Sequence, residues 1–246
     1  MRSEFQTHSP RASVSFSARA GTSLVAFMDL ISPEVSEYLT GLVPPRHPEL
    51  LAMEEHAAKV DFPIIGPACG YLCYQVARQI GARSVFELGS GFGYSTAWFA
   101  RAVVENGGGR VHHVVWDEEL SRAARTHLTA LGLDHAVTFH VAEAVAALRA
   151  ADGPFDLAFL DIDKAGYPDA LSAIEEKLRP GGVLIADNLL WSGRVFDAGD
   201  RSNETEAIRE LTRRVTRDPG WIATIVPIRD GLLVAYRVDE SVRSEE

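Results

Sequence analysis

Between residues 84 and 186 the chain alternates short apolar runs with longer stretches in which apolar residues recur every three or four positions. The runs fall at 84–88, 111–116, 136–141, 155–160 and 183–186, and the periodic stretches at 95–104, 118–131, 143–150 and 168–178. Strand and helix in alternation predict βαβ units, with a parallel sheet covered by helices on both faces. In the 118–131 helix the apolar stripe is Leu120, Ala123, Ala124, Leu128 and Leu131. Residues 33 to about 80 read as helices punctuated by Pro44-Pro45, Pro48, Pro63 and Gly66-Pro67. Near the end, runs at 222–228 and 232–236 flank Arg229-Asp230-Gly231, which predicts an antiparallel hairpin.

Length and composition narrow the class. A chain of 246 residues with 46% hydrophobic and 24% charged content fits one α/β domain, expected over 29–240 with a polar tail at 241–246. A net charge of −10 disfavours nucleic acid and anionic membranes as partners, which require basic stripes, so a small-molecule substrate is expected. No run approaches the roughly 18 apolar residues of a membrane helix. Cys69 and Cys73 lie four apart on one face of a predicted helix rather than in a disulfide framework, which suits a reducing, cytoplasmic setting. Residues 1–28 carry Arg2, Arg11, Arg19 and several serines with Glu4 as the one acid; they read either as a disordered extension or as a transit peptide by composition.

Two of the predicted strands end in acids. The first runs into Asp161-Ile162-Asp163-Lys164 and the second into Asp187-Asn188. Carboxylates at the end of a buried strand are costly unless a cation pairs with them. Two carboxylates and an amide carbonyl offer only oxygen, which suits a hard ion such as magnesium and leaves roughly half of its six positions open to a substrate.

A third strand, 84–88, runs into Gly89-Ser90-Gly91-Phe92-Gly93-Tyr94-Ser95. Glycines let a nucleotide-like cofactor approach the backbone closely. The spacing is G-x-G-x-G, whereas the dinucleotide fingerprint needs glycine where Tyr94 stands. Glu87 beside the loop would repel phosphates, so a cofactor with a cationic centre fits better. A nicotinamide oxidoreductase is the first rival; Tyr94 disfavours it, and it leaves Asp187-Asn188 without a role. A non-catalytic protein that kept the fold is the second rival.

Taken in order, Glu-Leu-Gly-Ser-Gly-Phe-Gly-Tyr-Ser, Phe-Leu-Asp-Ile-Asp-Lys-Ala-Gly-Tyr and Arg-Pro-Gly-Gly-Val-Leu-Ile-Ala-Asp-Asn-Leu-Leu-Trp resemble the cation-dependent O-methyltransferases, the caffeoyl-CoA and catechol O-methyltransferase relatives that use S-adenosylmethionine. The resemblance spans roughly 30–238. It implies a Rossmann-like fold with a seven-stranded, mostly parallel sheet in the order 3-2-1-4-5-7-6, a small aromatic vicinal diol as acceptor, and often a homodimer.

By the same resemblance Asp161, Asp187 and Asn188 hold a divalent cation, most simply Mg2+, and Lys164 matches the general base, the plainer reading being an ion-paired surface lysine. Gly89 and Ser95 match the loop around the methionine part, Glu87 its amino group, and Glu143 and Ala144 the segment against the adenine. Asp163 stands near cofactor and metal or caps a turn; Tyr167 packs over the site or belongs to the core; Trp191 and the polar stretch 192–203, a long structureless loop, form a lid or acceptor wall, the plainer reading of Trp191 being a packing anchor. The chain departs from the family at Val115, where the resemblance implies an acid on the ribose. Asp117 lies two positions on, on the same strand face, and is the expected substitute, the alternative being a ribose held less tightly than in relatives. Asn203-Glu204-Thr205 reads as a helix cap with Glu206 reaching back rather than as a glycosylation site.

Overall fold

Apolar residues occupy both faces of the central strands, and their alternation divides the core in two. The computed structural model describes residues 31–239, so the readings of 1–28 and 241–246 fall outside the described residues. Strands β1 (Ser84–Leu88), β2 (Arg110–Val115), β3 (Val137–Val141), β4 (Phe155–Leu160), β5 (Leu178–Ala186), β6 (Trp221–Val226) and β7 (Leu232–Arg237) form one sheet in the order β3-β2-β1-β4-β5-β7-β6. The first five are parallel, and β7 runs antiparallel to β5 and β6. This is the expected order, with the predicted hairpin at its edge.

Eight α-helices lie among the described residues: α1 (Pro33–Gly41), α2 (Pro48–Val60), α3 (Gly66–Gln79), α4 (Tyr94–Glu105), α5 (Glu118–Ala130), α6 (Ala144–Ala150), α7 (Tyr167–Lys177) and α8 (Asn203–Arg217). Val85, Leu157, Phe159, Val183 and Ile185 face the α2–α5 side, while Phe86, Leu88, Ala158, Leu160, Leu184 and Ala186 face the α6–α8 side. Cys69 and Cys73 are buried and free on α3. Among the described residues no helix is long and apolar enough to cross a membrane.

Three local readings change. Strand β5 starts at Leu178 rather than 183, because Leu178 pairs with Phe155 and Val183 with Leu157, and the intervening residues bulge around Gly181 at φ +74. The cap of α8 is Ser202, whose hydroxyl takes Thr205 N; Glu206 pairs with Arg201 and Arg209 instead of reaching back. The stretch 192–203 is not a free loop. Arg209 of α8 donates to the carbonyls of Asp197 and Asp200 at 2.5 and 2.7 Å, which fastens the segment to α8, and Arg194 meets Asp200 at 2.7 Å within it.

Candidate active site

The parallel ladder continues one residue beyond β4 and β5 and so brings both acids to the same edge. Asp161 N donates to Leu88 O at 2.8 Å, and Asp187 N donates to Leu160 O at 3.1 Å. The loop after β1 crosses directly beside them. At Gly89, φ +87, a Cβ would stand 2.0 Å from the Asp161 carbonyl oxygen, so only glycine passes.

One cavity of about 720 Å³ opens at this edge. Gly89, Ser90, Gly91 and Ser95 line it on the glycine-loop side, Val115, Trp116, Glu143 and Ala144 at one end, and Asp161, Asp163, Lys164, Asp187, Asn188 and Trp191 at the other. Phe62, Ile64 and Ile65, from the chain between α2 and α3, close an apolar wall. The loop and the oxygen donors inferred from separate motifs therefore share one chamber at the carboxyl ends of the strands.

Lys164 is buried, with Nζ 2.9 Å from Asp161 Oδ1 and 2.7 Å from Tyr167 Oη. Tyr167 is fully buried, does not line the cavity, and donates to the Asp187 carbonyl at 2.8 Å. Burial and the nearby carboxylates hold its phenol protonated. It is thus a support beneath Lys164: the core reading describes it and the expected contact with a substrate is corrected, because the ring, at the start of α7, packs among the buried residues of the α6–α8 side. The plain alternative for Lys164, an exposed ion-paired lysine, does not describe this geometry.

Glu87 also stands elsewhere than expected. It lies on the α4 side of β1, fully buried and outside the cavity lining, and its Oε2 accepts from Thr96 Oγ1 at 2.5 Å. His113 Nδ1 is 3.0 Å from the same hydroxyl. Burial pushes the Glu87 carboxyl up to about 7 and lowers His113 to about 3. Glu87 Oε1 and His113 Nε2 are buried without a partner. Thr96 and His113 carried no motif that could have singled them out.

At the other end, two acids serve as helix caps. Asp117 does not line the cavity; its Oδ1 accepts from Leu120 N at 2.8 Å and starts α5. Glu143 lines the cavity, yet its two oxygens accept from Val145 N and Ala146 N at 2.9 and 2.7 Å. Val115 itself is buried, while the neighbouring Trp116 is 83% exposed at the rim. Asp163 caps its own turn through Ala165 N at 3.3 Å while lining the cavity, so both of its readings are met in part.

The donor set fits a hard cation. Asp187 Oδ1 is buried without a partner, and burial together with Asp161 raises its carboxyl above the usual range, a cost that a bound cation would relieve. Asn188 takes the left-handed conformation at φ +64, which asparagine tolerates. Among the described residues no three His, Cys, Asp or Glu side chains gather as a metal cluster; the set here is two carboxylates and an amide. Arg229, read from sequence only as a turn residue, lines the cavity with Nη1 3.5 Å from Asp187 Oδ2.

A seven-stranded sheet of this order, with a glycine loop after β1 and acids after β4 and β5, defines a methyltransferase architecture. The sequence profile of the O-methyltransferase family matches residues 53–238, and the chain belongs to that family. A provisionally named O-methyltransferase of Mycolicibacterium vanbaalenii is 30% identical over 188 residues, 76% of this chain and 82% of the relative. The O-methyltransferase TomG of Streptomyces achromogenes, involved in tomaymycin synthesis and solved with S-adenosylmethionine, superposes with a TM-score of 0.75 at 26% identity, over 84% of this chain and 96% of that one. An O-methyltransferase of Bacillus cereus solved with S-adenosylhomocysteine gives 0.75 at 26%, over 83% and 97%.

Proposed function

We propose that the chain transfers the methyl group of S-adenosylmethionine to one hydroxyl of a small aromatic vicinal diol, assisted by a divalent cation, magnesium, held by Asp161, Asp187 and Asn188. The observation that carries this reading is the single cavity shared by the glycine loop and the oxygen donors. Membership of the O-methyltransferase family and the two cofactor-bound neighbours support the methyl donor.

When bound, the cation supplies positive charge that favours two adjacent oxygens and eases proton loss from one of them. Lys164, fixed by Asp161 and Tyr167, holds or moves that proton at Nζ. Gly89 and Gly91 let the donor approach the backbone, and Ser95 adds a hydroxyl on the same side. Glu143, Ala144 and Trp116 enclose the adenosine end. Trp191 walls the acceptor end and aligns the ring, and Phe62, beside Gly91, closes the cavity over the glycine loop and excludes water, an ordering effect worth several kcal/mol in general.

Calorimetry separates the donors: S-adenosylhomocysteine binds with micromolar affinity and NAD does not. Tight binding of NAD without S-adenosylhomocysteine contradicts the reading.

A further inference from the structure

Arg229 sits in the β6–β7 turn at φ +50, a conformation that is uncommon and strained for a residue with a side chain. The turn is locked to the segment after β5: Leu189 N donates to Gly231 O at 2.9 Å, Leu190 N to Asp230 O at 2.8 Å, and Ser192 N to Asp230 Oδ1 at 2.6 Å. A fixed backbone thus delivers the guanidinium to the acceptor end of the cavity.

Five N–H donors arrive there. Among the described residues the guanidinium makes one hydrogen bond, the 3.5 Å contact to Asp187 Oδ2, and the side chain remains 35% exposed. Such a contact satisfies the group poorly and, at that exposure, binds weakly. Lys164 already answers Asp161. With a divalent cation on the Asp161–Asp187 pair, Asp187 is engaged elsewhere, and the Arg229 guanidinium is left without its one hydrogen-bond partner at the acceptor end.

We propose that Arg229 determines acceptor specificity and that the acceptor carries a carboxylate near its hydroxyl pair, as in a dihydroxybenzoate, rather than being a neutral catechol. The planar guanidinium matches a carboxylate through two parallel N–H···O bonds, and Trp191, at the Asp187-Asn188 end of the cavity, suits the ring that bears it. The inference rests on the diol reading above and adds the charge of the acceptor to it.

The test compares 2,3-dihydroxybenzoate, 3,4-dihydroxybenzoate and catechol as acceptors, with S-adenosylmethionine and magnesium, in wild type, Arg229→Gln and Arg229→Lys. Wild type favours one dihydroxybenzoate over catechol in kcat/KM by roughly tenfold or more; Arg229→Gln removes that preference and Arg229→Lys restores part of it. Calorimetry of the favoured acid on the enzyme with S-adenosylhomocysteine and magnesium shows the same loss without turnover. Equal loss on acid and catechol reduces Arg229 to a partner of Asp187 and overturns the proposal, as does a wild-type preference for catechol. If no acceptor is methylated the diol reading fails, and calorimetry still decides Arg229: acid binding that weakens in Arg229→Gln upholds it, and binding that does not overturns it.

Discussion

Lys164 Nζ lies 2.7 Å from Tyr167 Oη, and the same hydroxyl donates to the Asp187 carbonyl at 2.8 Å. One buried phenol therefore ties Lys164, the proposed base, to the strand end that carries Asp187, a proposed cation ligand. Lys164→Ala is expected to lower kcat by about 10²–10⁴ while S-adenosylhomocysteine affinity holds. Tyr167→Phe keeps Lys164 but removes its support, so kcat falls by a smaller factor. Steady-state kinetics and calorimetry on both variants check the pair; an undiminished kcat in Lys164→Ala removes the lysine from the reaction.

Glu87 makes stability depend on pH. Its folded-state value, about 7, lies above the ordinary 4.5. Below about 4.5 both folded and unfolded chains hold the proton and there is no penalty. As pH rises toward 7 the unfolded chain releases it first, so the folded state loses up to about 3 kcal/mol, and the loss is complete above 7. Glu87→Gln should flatten this decline between pH 5 and 8 in denaturant titrations of the cofactor-free protein. An unchanged slope would show that Glu87 is not the source.

Gly89→Ala adds a Cβ 2.0 Å from the Asp161 carbonyl at a left-handed φ. Backbone must move, at a cost of roughly 2–4 kcal/mol, and the cavity edge moves with it. Thermal unfolding and S-adenosylhomocysteine binding should both deteriorate. A stable variant with full affinity would contradict the close crossing.

Asp117→Ala removes the α5 cap and is expected to cost about 1 kcal/mol. Asp117→Ser keeps an acceptor at the cap and recovers most of it. Because the carboxylate is engaged at the cap, cofactor affinity in the serine variant should equal wild type; a clear drop would return the ribose contact to Asp117.

The sheet was legible because its signals are local. Strands β1 and β4 begin and end where the apolar runs do, and the acids after β4 and β5 follow directly from them. The cavity acids and Lys164 were legible for the same reason. What escaped the sequence depends on side-chain direction across elements. Adjacency to the loop points Glu87 toward the cavity, yet the period of two on β1 turns it toward Thr96 and His113. Asp117 offered a free acid on paper, and the start of α5 claimed it. Arg229 reads in sequence as an ordinary turn residue; its positive φ and its reach to Asp187 are visible only in the fold.

The most direct test of the central claim is methyl transfer from S-adenosylmethionine to catechol-type acceptors, including dihydroxybenzoates, with magnesium or with excess EDTA, in wild type and Asp187→Ala. The account predicts turnover with magnesium, loss of at least about a hundredfold with EDTA that magnesium restores, and the same loss in a folded Asp187→Ala protein. Full activity in EDTA, or in Asp187→Ala, would contradict it.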